Sequence, residues 1–135
     1  MADLAAIAGG FQTRLETVSG LHAYSEWPDG FQAPGAIVLP AEPFIVDATF
    51  DGGFDAEWDI LVMVTRAGGD ARSRVSLLSC FATSGSGSIR AAILGDATLG
   101  GTVASLIPLQ VYGYGVYEHS GVSYTGMKYR WRSLS

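Results

Sequence analysis

The feature that most constrains this chain is the run Glu57-Trp58-Asp59-Ile60-Leu61-Val62-Met63-Val64, together with the residues that follow it. In an extended strand Trp58, Ile60, Val62 and Val64 share one face, while Leu61 and Met63 on the other face are apolar as well, so both sides need cover. The pattern predicts a central strand. Gly68-Gly69 ends it, and Asp70 is placed to accept hydrogen bonds from the first free N–H groups of a helix. Ala71, Val75, Leu78 and Phe81/Ala82 recur at helical spacing, which predicts that this side packs on the sheet and leaves Arg72, Ser73, Arg74 and Ser76 outward. Ser84-Gly85-Ser86-Gly87 breaks the helix. Ser88 then caps a shorter one, with Ile89, Ala92 and Ile93 as its apolar stripe and Gly95 as a left-handed exit.

The flanking segments supply the rest of a sheet. Ala2 to Val18 reads as a helix with Leu4, Ile7, Ala8, Phe11, Leu15 and Val18 on one side, weakened by Gly9-Gly10 and stopped by Ser19-Gly20. A short strand is expected from Leu21 to Trp27. Four prolines (Pro28, Pro34, Pro40 and Pro43) bracket Ala36-Ile37-Val38-Leu39, predicting a short strand near a sheet edge, because proline cannot donate to a ladder. Phe44 to Phe50 alternates as a separate half-buried strand, with Asp51-Gly52-Gly53-Phe54-Asp55 as the hairpin loop into the central strand. Thr102 to Pro108 is ambiguous, with Pro108 favouring an edge or a bulge. Leu109 to Tyr117 places Tyr112, Tyr114 and Val116 on one side and Val111, Gly113, Gly115 and Tyr117 on the other, the two glycines leaving room for a neighbour. After a turn at His119-Ser120-Gly121, Val122 to Arg132 alternates cleanly: Met127, Tyr129 and Trp131 inward, Lys128, Arg130 and Arg132 outward. The order of elements predicts a single α+β domain over residues 1–135, a largely antiparallel sheet with helices packed on one face.

At 135 residues the chain is long enough to bury roughly two-thirds of the surface that its unfolded form exposes. It is 48% hydrophobic and only 16% charged, against a usual quarter, so part of its apolar surface is expected to meet other chains. The N-terminal segment lacks a basic region, and no apolar run approaches the ~20 residues of a membrane helix, which predicts a soluble protein made in the cytosol and no membrane contact. The net charge of -5 is unevenly spread. Residues 1–63 carry ten acids against Arg14 alone, giving -9, and residues 64–135 carry three acids against seven bases, giving +4. Opposite faces of neighbouring copies meeting head to tail is the sharper reading of that asymmetry, and simple mixing over one surface the plainer one.

The chemistry-bearing residues do not assemble into a reaction centre. Cys80 with His22 or His119 would be a thiol–imidazole pair, but Cys80 sits between Leu77/Leu78 and Phe81 on a packed helix, where cysteine behaves as an inert hydrophobe. The row Asp55, Glu57 and Asp59 suits a cation less well than a solvated strand edge or a partner's arginines. Gly85-Ser86-Gly87-Ser88 lacks the lysine and preceding strand of a phosphate loop. Lys128, Arg130 and Arg132 are too few to bind DNA firmly beside so acidic a chain, and an acidic protein partner suits them better. No enzyme activity, cofactor or metal is expected.

Several short segments, in order, resemble tail terminator proteins of long-tailed (siphovirus-type) bacteriophages. They are Gly35-Ala36-Ile37-Val38-Leu39-Pro40, the strand end Val62-Met63-Val64-Thr65-Arg66-Ala67, the turn and helix Gly87-Ser88-Ile89-Arg90-Ala91-Ala92-Ile93, then Asp96-Ala97-Thr98-Leu99-Gly100-Gly101, and Gly121-Val122-Ser123-Tyr124-Thr125-Gly126 in the late hairpin. The likeness covers most of the chain from about Leu15 onward. It implies the same α+β architecture and a structural virion protein assembled in the host cytoplasm. Such a protein forms a homo-oligomeric ring, a hexamer in that family, that caps the tail tube protein, stops its polymerisation and docks the tail to the head's connector or stopper protein. DNA passes through the lumen without specific binding. Expected interface residues are Arg66, Arg72, Arg74, Lys128, Arg130 and Arg132, with Asp51, Asp55 and Glu57 as acidic partners. Another neck protein, a head–tail joining component or a tube subunit of related fold is the nearest alternative, and a small intracellular ligand-binding domain a more remote one.

Overall fold

A computed structural model describes residues 4–18, 20–48, 54–66, 69–82, 85 and 87–134. The elements are α1 (Leu4–Leu15), β1 (His22–Tyr24), β2 (Gly35–Ala48), β3 (Phe54–Thr65), α2 (Asp70–Ser79), α3 (Ile89–Leu94), β4 (Ser105–His119) and β5 (Val122–Leu134). Five strands form one sheet in the order β1-β2-β3-β5-β4, antiparallel except for the parallel β1–β2 pair. The α+β fold with helices on one face is as the patterning predicts, and β3 is its central strand.

Trp58, Ile60, Val62 and Val64 of β3 and Met127, Tyr129 and Trp131 of β5 form one core with Ile7, Phe11 and Leu15 of α1, Leu77 of α2, and Ile89 and Ile93 of α3. Phe11 lies 6.0 Å from Trp58, and Tyr129 sits between Phe81 at 5.6 Å and Trp131 at 5.1 Å, at the spacing that favours tilted aromatic contact. The second face of β3 is covered differently. Ile37, Leu61 and Met63 lie under Tyr24, Phe31, Leu39, Tyr117 and Tyr124, side chains from a loop and neighbouring strands.

Several local expectations are corrected. The Pro-flanked strand and the Phe44–Phe50 strand are one element, β2, with register shifts between Pro40 and Ile45 and between Ile45 and Asp47. β1 pairs only with Gly35, Ala36 and Ile37, so the prolines fall where the outer ladder has ended and a missing N–H costs nothing. Asp51, Gly52 and Gly53 lie outside the described residues, while Phe54 and Asp55 already belong to β3. α2 is rotated from its predicted face: Ser73 and Leu77 are buried, whereas Val75 and Leu78 are 67% and 50% exposed. Ser73 tolerates burial because its hydroxyl donates to the Thr65 and Gly69 carbonyls, both at 2.8 Å. The cap of α2 is Gly69 (φ 92), with no side-chain capping bond, and Asp70 is its first helical residue. Ser88 does cap α3, accepting from Ala91 N–H at 3.1 Å, but Gly95 is right-handed (φ -62). Its lack of a side chain leaves space for Arg14, which donates to the Ala92 carbonyl at 2.8 Å.

A further correction concerns β4. Pro108 pairs with Trp131 and Gln110 with Arg130, then Tyr112 with Lys128 and Gly115 with Gly126, so the register slips twice. Each slip inverts the alternation. Tyr112 and Tyr117, expected on opposite sides, therefore both reach Lys128 on the second face. Pro108 lies on an edge strand beside a bulge, as its chemistry requires. Gly113 (φ 74) accepts the Tyr117 hydroxyl at its carbonyl, and a Cβ there would crowd that oxygen. Gly126, not Gly115, gives the Tyr117 ring its room. Ser120 and Gly121, both at positive φ, close the β4–β5 hairpin as a two-residue turn.

Candidate functional site

The second face of β3 and β5 carries the charged residues singled out from the sequence. The strands register Glu57 against Arg132, Asp59 against Arg130, and Leu61 against Lys128. Arg132 Nη2 lies 2.9 Å from Glu57 Oε2, and Arg130 Nε 3.1 Å from Asp59 Oδ1. The Tyr112 hydroxyl donates to Asp59 Oδ2 and accepts from Arg130 Nη2 at 2.9 Å. Burial and the Asp59 carboxylate push the Tyr112 phenol up to about 12, since both disfavour a phenolate. Lys128 extends its ammonium over the Tyr112 and Tyr117 rings at 6.0 and 5.9 Å.

This arrangement consumes much of the expected basic row. Arg130, Arg132 and Glu57 are partnered within one chain, and Asp59 and Tyr112, which the sequence reading did not single out as interface residues, complete the network. Parity alone puts these acids and bases on one face; only the β3–β5 register decides which pairs form. Asp55 is half-buried on the same face, Arg66 follows the end of β3, Arg72 and Arg74 are exposed on α2, and Asp51 lies outside the described residues.

The exposed apolar surface lies elsewhere. On β4, Ile107, Leu109, Val111, Tyr114 and Val116 are each at least 40% exposed, and on α2 the stripe Ala71, Val75 and Leu78 faces outward between Arg72 and Arg74. The helices cover β3 and β5 but leave Val111 and Val116, on the same face of β4, exposed, while Leu106 joins the core and Ile107 registers with Arg132 on the second face. A sequence signal for this strip exists: no charged residue occurs from Ala97 to Tyr117. A long apolar edge strand of this kind is a template for association.

The described nucleophile and imidazole candidates lie apart. Cys80 is half-buried, its thiol pushed up by burial, and His119 is engaged 2.7 Å from the Pro28 carbonyl, with no contact between the two. Among the described residues no group of three or more His, Cys, Asp or Glu side chains is placed to hold a metal ion, and no helix is long and apolar enough to cross a membrane. A recess of about 230 Å³ between the end of α1 and α2, lined by Val18, Leu21, Pro34, Val64 and Cys80, is smaller than the ~300 Å³ at which small-molecule sites begin. No protein-family model matches the chain, and no curated protein shows significant similarity to it.

Proposed function

We propose that this chain is a structural virion protein of tail-terminator type, a ring of copies that caps a tail tube and presents the docking surface for the head connector. The observation that carries the reading is the distribution of exposed apolar surface. A closed core leaves bare an apolar strip on one edge strand, β4, and one helix stripe, on α2, which is what a subunit that associates without turnover needs. The order and spacing of the short segments that resemble tail terminators give the partner class. Arg72 and Arg74 beside the α2 stripe supply a charged rim for contacts whose selectivity depends on refusing further tube subunits as much as on binding the last one.

The test is a tube-polymerisation reaction with a siphovirus-type tail tube protein, imaged by negative stain. Substoichiometric addition should shorten the tubes and place extra density at one end. Incorporation along the tube length would make the chain a tube subunit. Binding to the head connector alone, with tube length unchanged, would make it a joining or stopper component.

A further inference from the structure

Arg72 and Arg74 differ from most cations of the chain. Arg14, Arg66, Lys128, Arg130 and Arg132 are each engaged by other groups of the same molecule. Arg72 and Arg74 are exposed on α2, and among the described residues neither has a carboxylate or hydrogen-bond partner. They flank the stripe Ala71, Val75 and Leu78, of which Val75 is 67% and Leu78 50% exposed. Ser73 and Leu77 hold the opposite side of α2 against the sheet, so the stripe points away from it. The helix therefore presents an apolar ridge with an unneutralised cation on either side.

The loop between β1 and β2 carries the inverse pattern. Trp27 is 51% exposed and lies between Glu26 and Asp29, both exposed. No lysine or arginine occurs in the sequence between Arg14 and Arg66, and among the described residues neither carboxylate is ion-paired. The shape of the loop is held: His119 Nε2 lies 2.7 Å from the Pro28 carbonyl, the His119 ring is 5.2 Å from Trp27 and 5.9 Å from Phe31, and Gln32 N–H donates to the Tyr24 hydroxyl at 3.1 Å. A pre-ordered tryptophan is the side chain that most often anchors an interface, because it buries a large area at little further entropic cost. In its own chain the loop cannot meet the ridge. Phe31 packs on Tyr124, in the cluster on the second face of the sheet, whereas α2 covers the first face and turns its ridge outward.

We infer that the Glu26-Trp27-Pro28-Asp29 loop of one copy docks on α2 of a second copy, Trp27 lying on the ridge of Ala71, Val75 and Leu78 and the two carboxylates meeting Arg72 and Arg74. An acid on each side of a tryptophan matches a cation on each side of an apolar ridge in both charge and hydrophobicity, and every copy carries both halves. Loop and ridge are different surfaces, so the contact is head to tail and repeats from copy to copy until it closes or runs on as a filament. The contact gives the proposed ring a subunit interface, and it rests on that reading only for closure into a ring.

The test is a charge swap in the full chain, with folding checked by circular dichroism and mass read by sedimentation equilibrium. The wild type should self-associate with increasing concentration, and Trp27→Ala should weaken that association by about 30-fold, the loss typical of an interface anchor. Glu26→Lys with Asp29→Lys should abolish it, as should Arg72→Glu with Arg74→Glu; these four sites are exposed, so the charge variants keep the test sound if Trp27→Ala disturbs the fold. All four reversals in one chain should restore self-association, because a basic loop then meets an acidic ridge. A wild type that stays monomeric, two-site variants that associate like the wild type, or a folded four-site variant that stays monomeric would overturn the inference. Tube capping that survives both two-site reversals would also overturn it and leave the tail-terminator reading in place. Self-association through this contact without any tube capping would leave the inference standing and remove the tail-terminator reading instead.

Discussion

Strand β5 has two neighbours, and the surfaces they form with it differ in every physical respect. Toward β3 the strands run in continuous register from Ala56–Ser133 to Thr65–Tyr124, one face sealed by three helices and the other neutralised by Glu57–Arg132 and Asp59–Arg130. Toward β4 the register slips twice, the helices stop short, and apolar side chains remain in solvent. The first surface holds the fold together; the second leaves Leu109, Val111, Tyr114 and Val116 exposed. Substitutions on the two should therefore separate stability from association.

The largest expected effect is in the first region. Trp131→Ala, at a fully buried site against Tyr129, should cost about 3–5 kcal/mol in a urea melt, whereas Val116→Ala on β4 should stay within about 0.5 kcal/mol. Equal losses would mean that β4 is as integral to the core as β3. Asp59→Ala should come next, at about 3 kcal/mol, since it strands the Arg130 guanidinium and the Tyr112 hydroxyl at a largely buried site. Glu57→Ala should cost only about 1 kcal/mol, because Arg132 is one-third exposed and regains water.

The Tyr112 phenol sharpens the same contrast by pH. Its folded pKa is raised from the ordinary 10 to about 12, so its contribution to stability is complete below pH 10 and is lost as pH rises toward 12. Tyr112→Phe should remove the step near pH 12 from an ultraviolet pH titration and flatten that loss. Gly113→Ala is expected to cost about 1 kcal/mol in a thermal melt, from its left-handed backbone and the crowding of the Tyr117 hydroxyl. The smallest effect is expected on α2, where Val75→Ser with Leu78→Ser should leave the melt unchanged within about 0.5 kcal/mol. A larger loss there would place the stripe in the monomer's own core.

Where the amino-acid pattern is strong, it was readable without coordinates. The two-sided apolar run of β3, the alternation of Met127, Tyr129 and Trp131, the α1 positions Ile7, Phe11 and Leu15, and the Ser88 cap all stand where periodicity and local hydrogen bonding put them. In each case one face or one bond has no good alternative. The face of α2 was misread because two helical stripes compete there, and the hydroxyl of Ser73 finds two backbone carbonyls that make its burial acceptable. The sides of β4 were misread because a bulge inverts alternation and leaves little trace in composition beyond a glycine.

The candidate interface divides the same way. Composition implied surplus apolar surface, and parity alone placed the acids of β3 and the bases of β5 each on a single face. Strand register, a property of the whole sheet, pairs Glu57 with Arg132 and Asp59 with Arg130 within the chain. Helix placement left Val111 and Val116 of β4 exposed while covering Leu106. Local chemistry determines what each segment can become; which surfaces stay open depends on long-range packing, because a side chain is covered or exposed only by what the rest of the chain brings to it.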